Sequence, residues 1–389
     1  MMSRMSDVSW WVRLRRKLRN APALYRALLH LRNALVHRWL SIFRVLIPAR
    51  FELGPPKGPF SLFEQLRRGE VDGRIVLKTQ PSPRTDSNSL RRITPLGQAT
   101  QSVWPIFWTH TSDARLVGPT LLLQNGQRRI AVESAFGAGS LEDDAGYRQF
   151  RRPASVRLGG NWTSIVSRWA SLGFFHWFMD ALPRLALLPE FPTDTRIIVP
   201  SHLQHYHLDS LAWLGLTERI RPTAEQHLSI ENFYFSSPTN MTGLFDPYAV
   251  EFLRGAFLAR RDVLWNSPRR FFVHRASGGR GIVNETEVFD FFRARGWAIV
   301  EMEALPLAQQ IQLFANAEQI CALHGAALTN LLWCDRSCRV LELVSSTYMN
   351  GVYEGIAEAV GLSYDFLVCK GDADFKARVE IAALQKRLD

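Results

Sequence analysis

Acid–base chemistry is available in the stretch Gly173-Phe-Phe-His176-Trp-Phe-Met-Asp180-Ala-Leu-Pro183-Arg184-Leu185, where a histidine and an aspartate stand four apart. On a helix over 173–188 those two positions share a face. Either side chain can take the proton of an attacking hydroxyl. The expectation is an exposed His–Asp pair on an otherwise aromatic helix; the competing reading is a polar pair packed against Trp177 and Arg184. Anion-binding chemistry is concentrated further along. His274-Arg275 is followed by the glycine-rich turn Ala-Ser-Gly-Gly-Arg280-Gly-Ile-Val-Asn284-Glu285. Two guanidinium groups separated by glycines suit a diphosphate, because arginine can hold phosphate oxygens in a bidentate way; two solvated loop arginines are the competing reading.

The run His324-Gly325-Ala326-Ala327-Leu328-Thr329-Asn330 puts a histidine ahead of a helix whose first turn is all small. Free backbone N–H groups there, with no bulk in the way, make a seat for an anion. A core histidine with tight helix–strand packing remains open. Glu342, inside Val-Leu-Glu-Leu-Val, is a carboxylate placed to hold ribose hydroxyls or to face outward from an edge strand. Glu301 and Glu303 are weaker candidates of the same kind. Asp372-Ala-Asp374 has the spacing of a metal-binding acid pair but reads as a helix cap. His202, His205 and His207 read as a surface cluster without the surroundings of a metal site. Asn161-Trp-Thr matches a glycosylation acceptor only by pattern. No metal ligand set and no cofactor are expected.

The elements that must hold these groups are clearest after residue 263. Strands are predicted at Arg270–His274, 297–301, Gln319–Leu323, 339–344 and 364–368. Helices follow each, from about 285, 307, 326, 351 and 374. Five strand–helix alternations with short turns predict a parallel, doubly wound sheet with its site at the carboxyl ends of the strands. Before residue 263 the signals are mixed. Short strands are predicted at 121–123, 130–132 and 196–199, and the topology stays open.

The segment from His176-Trp177 through Asp180-Ala-Leu-Pro-Arg-Leu185 resembles the first signature block of glycosyltransferase family 61. Arg275, Arg280 and Asn284-Glu285 resemble its second block, and Asn316-Ala-Glu with His324-Gly-Ala-Ala-Leu-Thr-Asn330 its third. The resemblance spans roughly residues 155–345, and the order and separation of the blocks carry it. It implies an α/β, GT-B-like architecture, two Rossmann-like domains facing each other across a cleft. It implies an inverting, metal-independent transfer from a nucleotide sugar, a UDP-sugar by expectation, to a saccharide or glycoconjugate hydroxyl. Bacterial members are associated with capsular or surface polysaccharide biosynthesis. By the same resemblance Arg275, Arg280, Asn284, His324, Gly325, Ala326 and Asn330 fall on the donor side, and Asp180 and His176 on the catalytic side; Glu342 is placed with the donor residues by its strand position alone. Phe174-Phe175 before the histidine departs from the pattern.

Bulk properties frame the rest. The net charge of +11 invites a nucleic-acid reading. Residues 1–50, however, hold eleven of the 47 basic residues and one of the 36 acids, so the remaining 339 are nearly neutral and a nucleic-acid partner is not expected. The expected organisation is a basic amphipathic helical extension over 1–50, an acceptor-side α/β domain over 51–262 and a nucleotide-sugar domain over 263–389. Within the extension, Leu24, Leu28, Leu31, Leu35, Trp39, Ile42 and Leu46 share a helical face flanked by arginines, which fits an anionic membrane surface or a packed protein interface. No apolar run is long enough to span a bilayer, and the four cysteines lack zinc-type spacing, so a cytoplasmic protein, peripheral on the inner face of the cell membrane, is expected. A catalytically silent nucleotide- or glycan-binding scaffold of the same fold is the alternative function.

Overall fold

The run Gln319-Ile-Cys-Ala-Leu323 is apolar after its first residue, the mark of a strand covered on both faces. The computed structural model describes residues 52–53, 57–77, 89–90, 105–135, 141, 144–147, 151–152, 154–171, 173–241, 244–275 and 279–389. The helical extension expected over 1–50 lies outside the described residues.

In the N-terminal half, where Asp72–Leu77 pairs antiparallel with the first of them off the main path, the principal strands are β1 (Ile106–Val117), β2 (Val156–Ser164), β3 (Arg196–Pro200), β4 (Ile220–Thr223) and β5 (His227–Ser236). They lie in the order β4-β3-β2-β5-β1, continued by Leu122–Gln124, Ile130–Ala131 and Pro59–Phe60. Pairings from β4 to β5 are parallel, whereas β5 and β1 run antiparallel. The sheet is therefore mixed, and the simple Rossmann-like unit expected for this half is only partly realised. Helix α1 (His205–Trp213) joins β3 to β4, and α2 (Pro247–Phe257) follows β5. Asp246 accepts from Tyr248 N at 2.9 Å and Pro247 opens α2, the pre-set start of a helix.

The C-terminal half matches expectation closely. Strands β6 (Arg270–His274), β7 (Ala298–Glu301), β8 (Gln319–Leu323), β9 (Arg339–Ser345) and β10 (Ser363–Gly371) form a parallel sheet in the order β7-β6-β8-β9-β10. Helices α3 (Glu285–Arg293), α4 (Leu307–Ala315) and α5 (Val352–Val360) alternate with them. Helix α5 stops at Gly361, whose φ of 87° lets its N–H and that of Leu362 bond the Ala357 carbonyl at 2.9 and 2.8 Å. Two expectations are corrected. Residues 326–333 form a 3-10 helix rather than an α-helix. The terminal helix α6 starts only at Ile381, because Ala377–Arg378 first pairs antiparallel with β10 as β11.

Alternate residues of the C-terminal sheet bury into different layers. Phe272, Cys321, Leu341 and Leu343 pack with Phe292, Trp297 and Leu384. Phe271, Val273, Ile320 and Val340 join a second cluster. That second cluster also contains Ile197 and Val199 of β3, Trp177, Phe178, Phe257 and Trp333. One apolar layer thus touches both sheets, with helical residues 174–190, α2 and 326–333 contributing to it. Arg254 of α2 ties this layer together by donating to the carbonyls of Leu332 and Cys334 at the end of the 3-10 helix. All four cysteines are buried free thiols, and burial pushes those of Cys321, Cys334 and Cys369 up.

Candidate active site

Residues 174–190 hold the first group. The segment opens as one α-turn, Phe174–His176, widens to a π-turn over Trp177–Ala181 and tightens to 3-10 over Leu182–Glu190. Pro183 explains the irregularity. It has no N–H for the Met179 carbonyl one turn back. Asn240 supplies the missing donor instead, Nδ2 to Met179 O at 2.7 Å, while its Oδ1 accepts from Asp246 N at 3.0 Å. π-turns of this kind gather at functional sites.

Across the junction of the α-turn and the π-turn, His176 Nδ1 lies 2.6 Å from Asp180 Oδ2. The pair forms as expected, but its exposure does not: His176 is half-buried, while Asp180 is only 4% exposed. The fold takes the carboxylate out of water. Burial pushes the Asp180 carboxyl up, opposed by the hydrogen bond and charge of His176. Its Oδ1 is buried without a hydrogen-bond partner. Arg184, the next polar residue, is buried over the Phe235 ring and donates Nε to Ser236 O at 3.2 Å; burial lowers its pKa to about 10. Trp169, 38% exposed, lies with its ring 6.1 Å from that of His176.

The second group lies where the order of the parallel sheet reverses, between β6 and β8. Ligands of doubly wound sheets sit outside the strand carboxyl ends at such a point. Arg275 follows β6 and His324 follows β8. Arg275 Nη1 reaches His324 O at 3.5 Å, and burial, then the charge of Arg280, lowers the pKa of Arg275. A Cβ at residue 325 would stand 2.8 Å from Arg275 Nη1, so a side chain there would displace the guanidinium from its place over the turn. Arg280 stacks on Tyr348, its Cζ 4.3 Å from the ring centroid, and its Nη1 is buried with no hydrogen-bond partner. An orphaned buried guanidinium N–H calls for an acceptor. Ala326 is exposed at the mouth.

His324 is 6% exposed, and its Nδ1 bonds Glu342 Oε1. The other carboxylate oxygen of Glu342 accepts from Tyr364 OH, and Glu342 has no exposed surface. This corrects the reading of Glu342 as a ribose ligand or edge residue: both oxygens are engaged, and it orients His324. Asn330 is likewise committed and fully buried. It donates to Ala327 O at 3.0 Å and Gln310 Oε1 at 3.3 Å and accepts from Trp333 Nε1 at 2.9 Å. Asn284 exchanges hydrogen bonds with the backbone of Val379 at 2.8 and 3.0 Å and donates to Glu287 at 2.7 Å, so it pins the turn after Arg280 rather than reaching for a ligand.

Aromatic rings join the two groups. Phe175 lies 5.1 Å from His176 and 5.8 Å from Tyr353, and Tyr353 lies 5.0 Å from His324. Sequence reasoning missed Tyr348, Tyr353 and Tyr364, which share no motif with the histidines and reach them only by folding. Among the set-aside candidates, His207 is corrected from a surface to a core residue. It accepts from Gln204 N at 2.7 Å, contacts Ala170 O at 3.2 Å, and burial lowers its pKa to about 4. Asp372 does not cap a helix; it accepts from Asp374 N and Lys376 N in a turn. Among the described residues no cluster of three His, Cys, Asp or Glu side chains could hold a metal ion, and no helix is long and apolar enough to cross a membrane.

The fold and site together define an α/β protein whose cationic residues collect at the switch point of a doubly wound sheet. Residues 174–341 match the family model for Glycosyltransferase 61, a span that takes in both groups from His176 to Asn330. No curated protein gives a significant match to the chain.

Proposed function

We propose that this glycosyltransferase moves a sugar from a nucleotide sugar, taken to be a UDP-sugar, to a hydroxyl of a saccharide or glycoconjugate, with inversion. The observation that carries the reading is the adjacency of the His176–Asp180 pair and the Arg275–Arg280–His324 group through Phe175 and Tyr353. His176, with Nδ1–H held by Asp180 Oδ2, has Nε2 free to take the acceptor proton, and Asp180 steadies the ring as it charges. On the donor side Arg275, Arg280 and the 325–326 turn offset the charge that develops on the departing diphosphate. His324, oriented by Glu342, offers Nε2 to the same phosphates. Attack from one side and departure on the other inverts the anomeric carbon. Charge neutralisation by guanidinium groups is the basis for proposing a reaction without an obligatory metal.

A role in capsular or surface polysaccharide assembly rests on the family resemblance. A peripheral place on the inner face of the cell membrane rests on the basic segment 1–50. The division at residue 262 into acceptor and donor domains is retained as a proposal about roles, with one apolar layer shared between them. The test is thermal stabilisation of the full chain by UDP, other nucleoside diphosphates and UDP-sugars, with and without a chelator. A shift of several degrees with UDP or a UDP-sugar that persists in chelator supports the reading. No shift with any nucleotide favours the silent scaffold.

A further inference from the structure

Two exposed aromatic rings on the rim of the cationic crevice lie outside the 174–341 match. Tyr348 follows β9 and is 38% exposed; Phe375 follows β10 and is 45% exposed. Their rings meet edge to face at 5.9 Å, and Tyr348 also lies 5.5 Å from His324 and under the Arg280 guanidinium. We propose that Tyr348 and Phe375 form the wall on which the nucleobase of the donor stacks while Arg275 and Arg280 hold its phosphates; the inference rests on the donor-site reading above.

The turn that presents Phe375 is built and strained. Phe375 has φ +63°, a left-handed conformation that disfavours a bulky side chain. Asp372 imposes it: Oδ1 accepts from Asp374 N at 2.9 Å and Lys376 N at 2.8 Å, and its backbone N–H donates to Lys376 O at 3.0 Å. This turn is fastened to the loop that carries Tyr348. Thr347 Oγ1 donates to Asp372 O at 3.0 Å, and Gly371 N donates to Ser346 Oγ at 2.9 Å. The two backbones approach so closely at Gly371 that a Cβ there would collide with Ser345 Oγ, Thr347 Oγ1 and Thr347 N. Strain held in place by surrounding structure points to use at that position. The occupant is read from the neighbouring charges. A flat, apolar, ring-binding surface beside an arginine pair fits a molecule with an aromatic ring at one end and phosphate at the other. Pyrophosphate has no ring to stack, so its binding reports the arginine pair alone.

The experiment compares dissociation constants of UDP, GDP, CDP, ADP and inorganic pyrophosphate for the full chain, Phe375→Ala, Phe375→Trp, Phe375→Gly and Arg275→Ala. Stacking of one base on one ring makes the expected loss for the best nucleoside diphosphate in Phe375→Ala roughly tenfold or more, with pyrophosphate unchanged. Phe375→Trp retains nucleotide affinity, while Arg275→Ala weakens nucleotide and pyrophosphate alike. Phe375→Gly relieves the left-handed strain, so its melting temperature without ligand rises while its nucleotide affinity falls. Unchanged nucleotide affinity in Phe375→Ala, or a parallel loss for pyrophosphate, overturns the wall and leaves the donor site standing. A wild-type chain that binds neither pyrophosphate nor any of the four nucleotides overturns the donor site and the wall together.

Discussion

At the scale of residues, each histidine in the site is defined by the carboxylate behind it. Asp180 holds Nδ1 of His176, and Glu342 holds Nδ1 of His324. The histidines themselves are visible in the sequence as motif residues. The roles of their partners are only half visible, because burial decides them. Asp180 reads as exposed until the fold buries it to 4% exposure, and Glu342 reads as a ligand until Tyr364 takes its second oxygen. Asp180→Asn is expected to leave UDP affinity unchanged while lowering transfer by roughly 10²–10⁴-fold, since the ring loses the anion that orients it. Equal transfer rates for Asp180→Asn and wild type would remove the pair from the reaction. Glu342→Leu leaves a buried histidine and a buried tyrosine hydroxyl without their partner. Its expected cost is about 3–5 kcal/mol by urea unfolding, against a smaller loss for Glu342→Gln.

At the scale of elements, the C-terminal strands and helices were legible because five largely apolar strand runs alternate with helical segments at short spacing. The segment 173–188 was legible as helical, but its change from α to π to 3-10 was not. That change depends on Pro183 together with Asn240, a residue distant in sequence. Asn240→Ala strands the Met179 carbonyl and the Asp246 N–H in a buried setting. The expected destabilisation is about 3 kcal/mol, with a loss of transfer as the His176–Asp180 geometry relaxes. Unfolding curves and a transfer assay on the same preparation check both. Helix α1 gives a pH test. His207 is buried neutral with its pKa lowered from 6.5 to about 4. A base depressed by folding binds its proton first in the unfolded chain. Its stabilisation is therefore complete above pH 6.5 and is lost as pH falls toward 4, by on the order of 3 kcal/mol. The urea midpoint should show that fall between pH 7 and 4.5, and His207→Gln should flatten the fall; pH profiles identical to wild type would contradict the burial of a neutral ring.

At the scale of the whole molecule, the near-neutral charge of residues 51–389 and the basic surplus of 1–50 were plain from composition. The mixed topology of the N-terminal sheet was not, because β1 and β5 pair antiparallel through contacts that no local pattern announces. Nor was the apolar layer that reaches both sheets, since it is assembled from Trp177, Val199, Phe271 and Trp333, each of which reads as core without saying whose. If residues 1–50 seat the protein on a bilayer, the full chain should co-sediment with anionic vesicles at low salt and release as ionic strength rises, while a chain lacking them should stay in solution. The most direct measurement of the whole is the UDP affinity of the full chain against Arg275→Ala by titration calorimetry, with Asp180→Asn alongside. The expected result is a loss of roughly ten- to a hundredfold for Arg275→Ala, the worth of charge-assisted phosphate hydrogen bonds, and none for Asp180→Asn. Equal affinity of wild type and Arg275→Ala for UDP would contradict a donor site at the junction of β6 and β8.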